Sequence, residues 1–273
     1  MWLICPQFVK PFVKTNKNDA NDAEAIIEAA SRPSMNFVPI KHIEQQDIQC
    51  VHRVRSRVIK NRTALINEIR GLNLEYGITI PLGASKVRNL LCVIISDREN
   101  ELTPASREIM QDLYDELVDI EVRLKNLEKK IKIICKQNEA CSRILKIPGV
   151  GELTATAIVA AVSNPDEFKN GRHMSAWLGL VPRQSSSGNK QVLLGISKRG
   201  DRYLRTLLIH GARAALAHCK NTDNDYGHWL TKKKSTLSFN KAAVALANKN
   251  ARIIWSLLKT GKEFDYNNQQ VAA

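Results

Sequence analysis

The sequence predicts a mainly α-helical protein, because three stretches carry long apolar patterns with helical spacing. The clearest spans residues 106–137, where Leu and Ile side chains alternate steps of four and three. A second spans residues 43–76, and a third spans residues 240–259. The first two are spaced like the heptads of a coiled coil. We therefore expect them to form an antiparallel hairpin, a contact between copies of the chain, or both.

Shorter elements are predicted between these long helices. Helices are expected over residues 20–30, up to residue 96 after a break at 77–83, over 172–180, and up to about residue 220. A short apolar run lies at residues 192–196, and a short β-hairpin is expected within residues 139–260. Residues 221–226 and the three lysines at 232–234 are predicted as loops, and the polar tail from Gly261 as loose.

The charge of the chain indicates a polyanionic partner. Its 273 residues include 41 Lys and Arg against 27 Asp and Glu, a formal net charge of +14. Such an excess favours binding to DNA, RNA or an anionic membrane surface. No apolar run has the length of a transmembrane helix, and the apolar start is too short for a signal peptide. A cytosolic nucleic-acid-binding protein is the expectation.

The cysteines predict neither a disulfide framework nor a zinc site. All six are scattered without a C-x-x-C pair. His218 beside Cys219 is interpreted as packing, and the thiols as small apolar side chains of a reducing compartment.

The rest of the chain is organised around residues 177–205, WLGLVPRQSSSGNKQVLLGISKRGDRYLR. A cluster of small hydroxyls is followed by a concentration of cations. A serine hydroxyl can attack phosphorus while cations stabilise the charge on the phosphoryl oxygens. The alternative is that Ser-Ser-Ser-Gly is ordinary loop composition. The predicted phosphate-binding residues of this stretch are Lys198, Arg199, Arg202 and Arg205.

Two further segments are candidates for contact with the nucleic-acid backbone. Residues 144–160 place Gly149 and Gly151 between two helices, as in a helix-hairpin-helix, where glycines and free helix amides bind phosphate. A plain αα-turn is the alternative. Residues 52–62 are rich in basic side chains, among them Arg53 and Arg57. A solvated helix face is the alternative there.

Asp19 and Asp22 are candidate ligands of a divalent cation. They are three residues apart at a predicted helix start, after Asn18 or Asp19 as N-cap, and so share one face. Acidic residues in a first helical turn also favour the helix dipole, which is the alternative explanation.

Four segments together resemble one family. They are KPFVKTNKNDANDAEAI near the start, IPGVGELTATAIVAAV at 147–162, the stretch from residue 177 to 214, and ALANKNARIIW at 245–255. The chain is similar over nearly its whole length to DEDD transposases of the insertion-sequence "one-ten" family, in its "eleven-eleven" group. This resemblance, rather than composition, implies that the protein recombines DNA.

The resemblance implies roles for particular residues. In that family a RuvC-like RNase H domain holds Mg²⁺ with four acidic residues, and its N-D-x-x-D-A pattern falls on Asp19 and Asp22. The serine before glycine in the P-R-x-x-x-S-G turn falls on Ser187, with Ser185 and Ser186 as rivals and Ser197 as a distant fourth. The family joins strands through a serine-linked DNA intermediate. The resemblance also implies a structured guide RNA from the element and a homo-oligomeric assembly. It implies that the protein acts in the cytoplasm, at the nucleoid.

The start of the sequence departs from the family pattern. The segments carrying the first Asp and the Glu are expected upstream of Met1, so we expect a truncated or frameshifted transposase or a misplaced start. The expected domains are a RuvC-like remnant at 1–42 with a strand at residues 3–5, a helical coiled-coil region at 43–138, a transposase domain at 139–260 and a tail at 261–273. The rival functions are a non-catalytic nucleic-acid-binding remnant and a structural coiled-coil protein.

Overall fold

The computed structural model describes residues 3–14, 16, 18–35, 37–187, 191–218 and 223–267. This part of the chain is mainly helical, as predicted. It divides into two compact units, with the boundary between Gln46 and Asp47. Among the described residues, no helix combines the length and the apolar composition of a membrane-spanning segment.

The first unit contains a two-stranded sheet and three short helical elements. Strand β1 (Leu3–Ile4) pairs antiparallel with β2 (Phe37–Val38). Between them lie α1 (Pro6–Val9), a 3₁₀ turn (Lys10–Phe12) and α2 (Asp19–Ala30). Asn18 caps α2, since its Oδ1 accepts a hydrogen bond from Asn21 N at 2.7 Å. A strand near residues 3–5 was predicted, but its origin in a RuvC-like domain stays a prediction.

The second unit begins with a layer of long helices. Helix α3 (Ile43–Glu75) reaches into it from the boundary, followed by α4 (Ala84–Ser96) and α5 (Pro104–Gln137). Arg55 of α3 donates a hydrogen bond to Glu128 of α5 at 2.7 Å, and Asn73 of α3 donates one to Met110 Sδ of α5 at 3.3 Å. Because residue numbers rise along one helix as they fall along the other, α3 and α5 run antiparallel. The coiled coil itself stays a prediction.

The remaining helices surround one large apolar core. They are α6 (Glu139–Ile144), α7 (Glu152–Ala161), α8 (Gly171–Trp177), α9 (Arg202–Ala217), α10 (Asp225–Thr236) and α11 (Phe239–Thr260). The apolar faces of α7, α9 and α11 supply most of that core, including Ile158, Leu208 and Ile254. Strands β3 (Pro182–Gln184) and β4 (Leu193–Ile196) interrupt the helices between α8 and α9.

The loop prediction is wrong for the lysines at 232–234, and also for Asp225 and Tyr226, which begin α10. Lys232, Lys233 and Lys234 lie in the last turns of α10, as part of a regular helix. The helix starts because Asn224 caps it, with Oδ1 accepting from Gly227 N at 2.7 Å. Burial of Tyr226 and Leu230 on one side then holds it against the core.

Candidate functional site

The serine-bearing segment is joined to the core by a tight double loop. Gly179 and Gly200 both have positive φ, +71° and +74°, and a methyl group on either would collide with a backbone carbonyl oxygen, of Arg199 and Trp177 respectively. Lys198 N donates to Gly179 O at 3.1 Å. The two loops that flank the strands are therefore in backbone contact, which fixes the base of β3 and β4.

Arg205 stabilises the same double loop. Its side chain is 8% exposed, and Nη1 donates to Leu178 O at 3.0 Å and to Arg199 O at 2.7 Å. Removing the guanidinium would leave these buried carbonyls without a donor and would lower the stability of the fold. In the structure the Arg205 guanidinium supports the double loop, and its predicted binding of phosphate stays a prediction.

Strands β3 and β4 form an exposed antiparallel pair that we call the serine arm (residues 182–187 and 191–196). Its register joins Pro182 to Ile196 and Gln184 to Leu193, with an irregularity between them. Ser185 N donates to Val192 O at 2.9 Å, which extends the pairing toward the tip. Leu193 is 67% exposed, so the arm is not covered by the described core. Residues 188–190, including Gly188, lie outside the described residues.

The three candidate serines differ in their hydroxyl contacts. All three are exposed on the serine arm. Ser186 Oγ accepts a hydrogen bond from Gln184 Nε2 at 2.9 Å. Within the described ranges, no hydrogen bond occupies the Ser185 or Ser187 hydroxyl. Ser197 lies at the base of the arm, where its Oγ is buried.

Cations surround the base of the arm. Lys198, Arg199 and Arg202 are exposed there, and Arg183 is exposed on β3 itself. Asp201 lies between them, but its Oδ1 accepts from Tyr203 N at 2.6 Å and Leu204 N at 3.2 Å, as the N-cap of α9. Arg183 was not among the predicted phosphate-binding residues, although the P-R-x-x-x-S-G pattern contains it.

The turn between α6 and α7 is bound to the core on two sides. A methyl group on Gly149, whose φ is +85°, would lie 2.6 Å from Gly211 O of α9. Pro148 O accepts a hydrogen bond from Asn250 Nδ2 of α11 at 2.9 Å. Gly149 is therefore explained by backbone packing against α9. Gly151 has open space around its Cα and precedes the first turn of α7.

The basic side chains at one end of α3 differ in their surroundings: some are exposed, and others are ion-paired or buried. Arg53 and Arg57 are exposed and, being four residues apart, share one face. Arg55 is engaged with Glu128. His52, the first residue of the predicted basic segment at 52–62, is buried and therefore does not contribute to its exposed surface.

His52 links three helices through a directional chain of hydrogen bonds. Its Nδ1 lies 2.9 Å from Tyr203 Oη and its Nε2 lies 3.0 Å from Thr156 Oγ1. The Thr156 hydroxyl donates to Glu152 O at 2.7 Å, so it accepts from His52, and Tyr203 donates to Nδ1. Burial, with a smaller contribution from the Arg55 charge, lowers the pKa of His52 to about 4. The imidazole is therefore neutral at physiological pH.

Asp19 and Asp22 lie in the first turn of α2, in the first unit. The ion pairs of α2 within the described residues use Glu24 and Glu28, which leaves both aspartates unpaired there. No third His, Cys, Asp or Glu of the described chain joins them to complete a metal cluster. Mg²⁺ is commonly held by one or two carboxylates together with water and substrate phosphates, so this pair fits part of such a site.

Comparison with known proteins identifies the class of this chain. The model of the IS116/IS110/IS902 transposase family matches residues 141–228. The transposase for insertion sequence element IS1111A of Coxiella burnetii is 53% identical, over 94% of this chain and 70% of that protein. A probable family 20 transposase of Pseudomonas aeruginosa is 49% identical, over 94% of this chain and 76% of that protein. The transposase for insertion sequence element IS1328 of Yersinia enterocolitica is 38% identical, over 96% of this chain and 78% of that protein.

These matches place the chain among the transposases of insertion sequences. It belongs to the IS116/IS110/IS902 family, as the resemblance of its sequence predicted. The matched segment begins at α6 and includes the serine arm and α9.

Proposed function

We propose that this transposase binds DNA and cleaves and rejoins its strands through Ser187. The observation that carries the proposal is the serine arm. It holds an exposed hydroxyl away from the core, while Lys198, Arg199 and Arg202 lie exposed where its base is fixed. A reactive hydroxyl near concentrated cations suits attack on a phosphodiester.

The proposed step exchanges one phosphorus–oxygen bond for another. Ser187 Oγ bonds to phosphorus and loses its proton, while the bond to the leaving strand oxygen breaks and that oxygen gains a proton. The cations at the base stabilise the added negative charge on the phosphoryl oxygens. A strand hydroxyl reverses the step by attacking the phosphoserine, which releases the serine and seals the strand without an external energy source.

Asp19 and Asp22 would hold Mg²⁺ in this proposal. The bound ion would act as a Lewis acid that polarises the phosphate. Their carboxylates, unpaired within the described residues, would supply oxygen ligands, and substrate phosphate and water would supply the rest.

Two surfaces are proposed to hold the nucleic-acid backbone without reading its sequence. One is the start of α7 at Gly151, where free helix amides can receive a phosphate. The other is the face of α3 that carries Arg53 and Arg57. A structured guide RNA and further copies of the chain are proposed partners, following the family resemblance.

Substitution of the nucleophile tests the proposal. With DNA carrying the element ends and its guide RNA, Ser187→Ala should abolish strand cleavage and exchange, a loss of about a thousandfold or more, and leave DNA affinity unchanged. Ser185→Ala is the matched control, since it removes an equally exposed hydroxyl two residues away.

Full activity of Ser187→Ala would overturn the assignment of the nucleophile. Binding without any strand cleavage by the unaltered protein would instead favour the rival function, a non-catalytic nucleic-acid-binding protein.

A further inference from the structure

A second cationic site lies behind the serine arm, in a cavity of about 570 Å³. Its volume is within the range of small-molecule sites, about 300–1,000 Å³. Helices α10 and α11 form two walls, and the base of the arm forms a third through Pro182 and Ile196. The motif ALANKNARIIW, to which the sequence analysis gave no role, supplies one wall of this cavity.

Four cations line the cavity without compensating ion pairs. They are Lys233, Lys241, Lys249 and Arg252, and none has an ion-pair partner within the described residues. Lys249 Nζ lies 4.5 Å from the centre of the Trp229 ring, and Lys233 Nζ lies 5.7 Å from it. The neighbouring carboxylate, Asp225, is exposed. The cavity therefore favours an anion.

Apart from Asn248, the rest of the lining is apolar, which selects among anions. Leu180, Val244 and Ala245 line the cavity together with Trp229. A free inorganic anion gains no favourable contact from an apolar wall, whereas a nucleotide can pack its flat base against that wall. Bases pack well on aromatic and apolar side chains while lysines hold the adjoining phosphate.

The walls are fixed before any ligand arrives. Asn248 Nδ2 donates to Ser175 Oγ at 3.1 Å and to Leu180 O at 3.2 Å, which ties α11 to the segment before the arm. A methyl group on Gly171 of α8 would lie 3.0 Å from Arg252 Cα, so α8 packs closely behind that arginine. A preformed site loses less entropy on binding.

We propose that this cavity binds one unpaired nucleotide of a bound nucleic-acid strand. Its base lies on the Trp229 wall and its phosphate contacts Lys249 and Lys241. Ser187 is five residues from Pro182, so it lies at most about 17 Å from the cavity wall along an extended strand. An unpaired nucleotide of a DNA strand attacked by Ser187 could therefore reach the cavity. The choice of that strand rests on the proposed function.

The test is a binding comparison with full-length protein and short duplexes. The duplexes carry a three-nucleotide overhang, the same overhang without bases, or no overhang, and the overhang is DNA in one set and RNA in another. Unaltered protein should prefer the overhang with bases to the abasic one by about tenfold. If the preference for overhangs with bases is stronger in one set, that set shows whether the cavity binds a DNA or an RNA nucleotide.

Lys249→Gln should bind both overhangs about tenfold more weakly, because the phosphate that Lys249 contacts is present with or without the bases. Lys234→Gln is the matched control, since Lys234 is an exposed lysine of α10 outside the cavity lining; it should keep the overhang affinity of the unaltered protein. Trp229→Leu should lose the preference for the overhang with bases, with folding checked by thermal denaturation.

Equal losses in Lys249→Gln and Lys234→Gln, or no preference for bases in the unaltered protein, would overturn the proposal. Tighter binding of a glutamate-rich peptide at the cavity than of the overhang would do so too. Because the assay requires no strand cleavage, Ser187→Ala should keep the preference, so failure of this site is distinguishable from failure of the nucleophile.

Discussion

At the scale of single residues, His52 shows how a basic sequence segment can contain a neutral, structural side chain. It is 4% exposed and is held by Tyr203 and Thr156, from two helices more than a hundred residues away in sequence. A charged imidazole in this position would find no carboxylate partner among the described residues and would face the charge of Arg55. The side chain therefore joins α3 to the helical core in its neutral form only.

The His52 titration predicts a specific dependence of stability on pH. Its folded pKa, about 4, lies below the unfolded value of 6.5. Between these values the unfolded chain binds more protons, so the free energy of unfolding falls as the pH is lowered from 6.5 toward 4. The loss amounts to about 3 kcal/mol. Urea unfolding of His52→Gln across this window should show a shallower pH slope than the unaltered protein.

The matched control is His210→Gln, which removes an exposed imidazole from α9. Identical pH slopes for the unaltered protein and His52→Gln would contradict the buried, neutral assignment.

The two arginines at the start of α9 are predicted to differ in role. Arg205→Gln should lower the free energy of unfolding by about 2 kcal/mol, because the carbonyls of Leu178 and Arg199 lose a buried donor. Arg202→Gln should leave stability within about 0.5 kcal/mol, because that side chain is exposed. It should instead lower DNA affinity and reduce the salt dependence of binding by about one unit of slope.

Thermal denaturation and a salt titration of DNA binding separate the two effects. The account of the double loop is wrong if Arg205→Gln is as stable as the unaltered protein.

At the scale of elements, helix α9 and the α6–α7 turn approach each other backbone to backbone. A methyl group on Gly211 would lie 1.8 Å from Gly149 O, a distance that no side-chain rotation relieves. This contact explains why a glycine is present in the middle of α9, where it lowers helix propensity.

Gly211→Ala should therefore destabilise the protein by about 3 kcal/mol in urea unfolding. Gly71→Ala makes the same chemical change inside α3, where nothing lies within 4 Å of the added methyl group. It should stabilise the protein by up to about 1 kcal/mol. Effects of the same sign from the two substitutions would refute the close-packing account.

The long helices could be predicted from the sequence because their signals are local. Heptad-like spacing indicated α5, and its start follows from Thr103, whose Oγ1 accepts a hydrogen bond from Ser106 N. Helix α10 was missed because its polar, lysine-rich end reads as a loop, while its stability comes from burying Tyr226 and Leu230 in a distant core. Tertiary packing, rather than local propensity, decides such a segment.

The candidate site was only partly predictable for the same reason. The serine turn and the cations after it are adjacent in sequence, so their pattern could be recognised. The cavity behind the arm collects Lys233, Lys241, Lys249 and Trp229 from separate turns of two helices, beside strands found earlier in the chain. No spacing rule connects those positions. Arg205 shows the converse, since a basic residue within the motif is buried.

At the scale of the whole molecule, the residues that hold the serine arm in place and the residues proposed to bind the metal lie in different units of the chain. The helical core of the second unit fixes the base of the serine arm, and its surface carries an excess of cations suited to a nucleic-acid backbone. The carboxylates of Asp19 and Asp22 belong to the first unit. The central claim of the proposal is the covalent link at Ser187.

The most direct measurement of that claim is to map the protein–DNA adduct. Unaltered protein is incubated with labelled DNA ends and guide RNA, quenched in acid, digested with protease and nuclease, and analysed by tandem mass spectrometry. We predict a nucleotide phosphate on Ser187, with Ser185 and Ser186 unmodified. An adduct on any other residue, or strand exchange that proceeds with no adduct, would contradict the account.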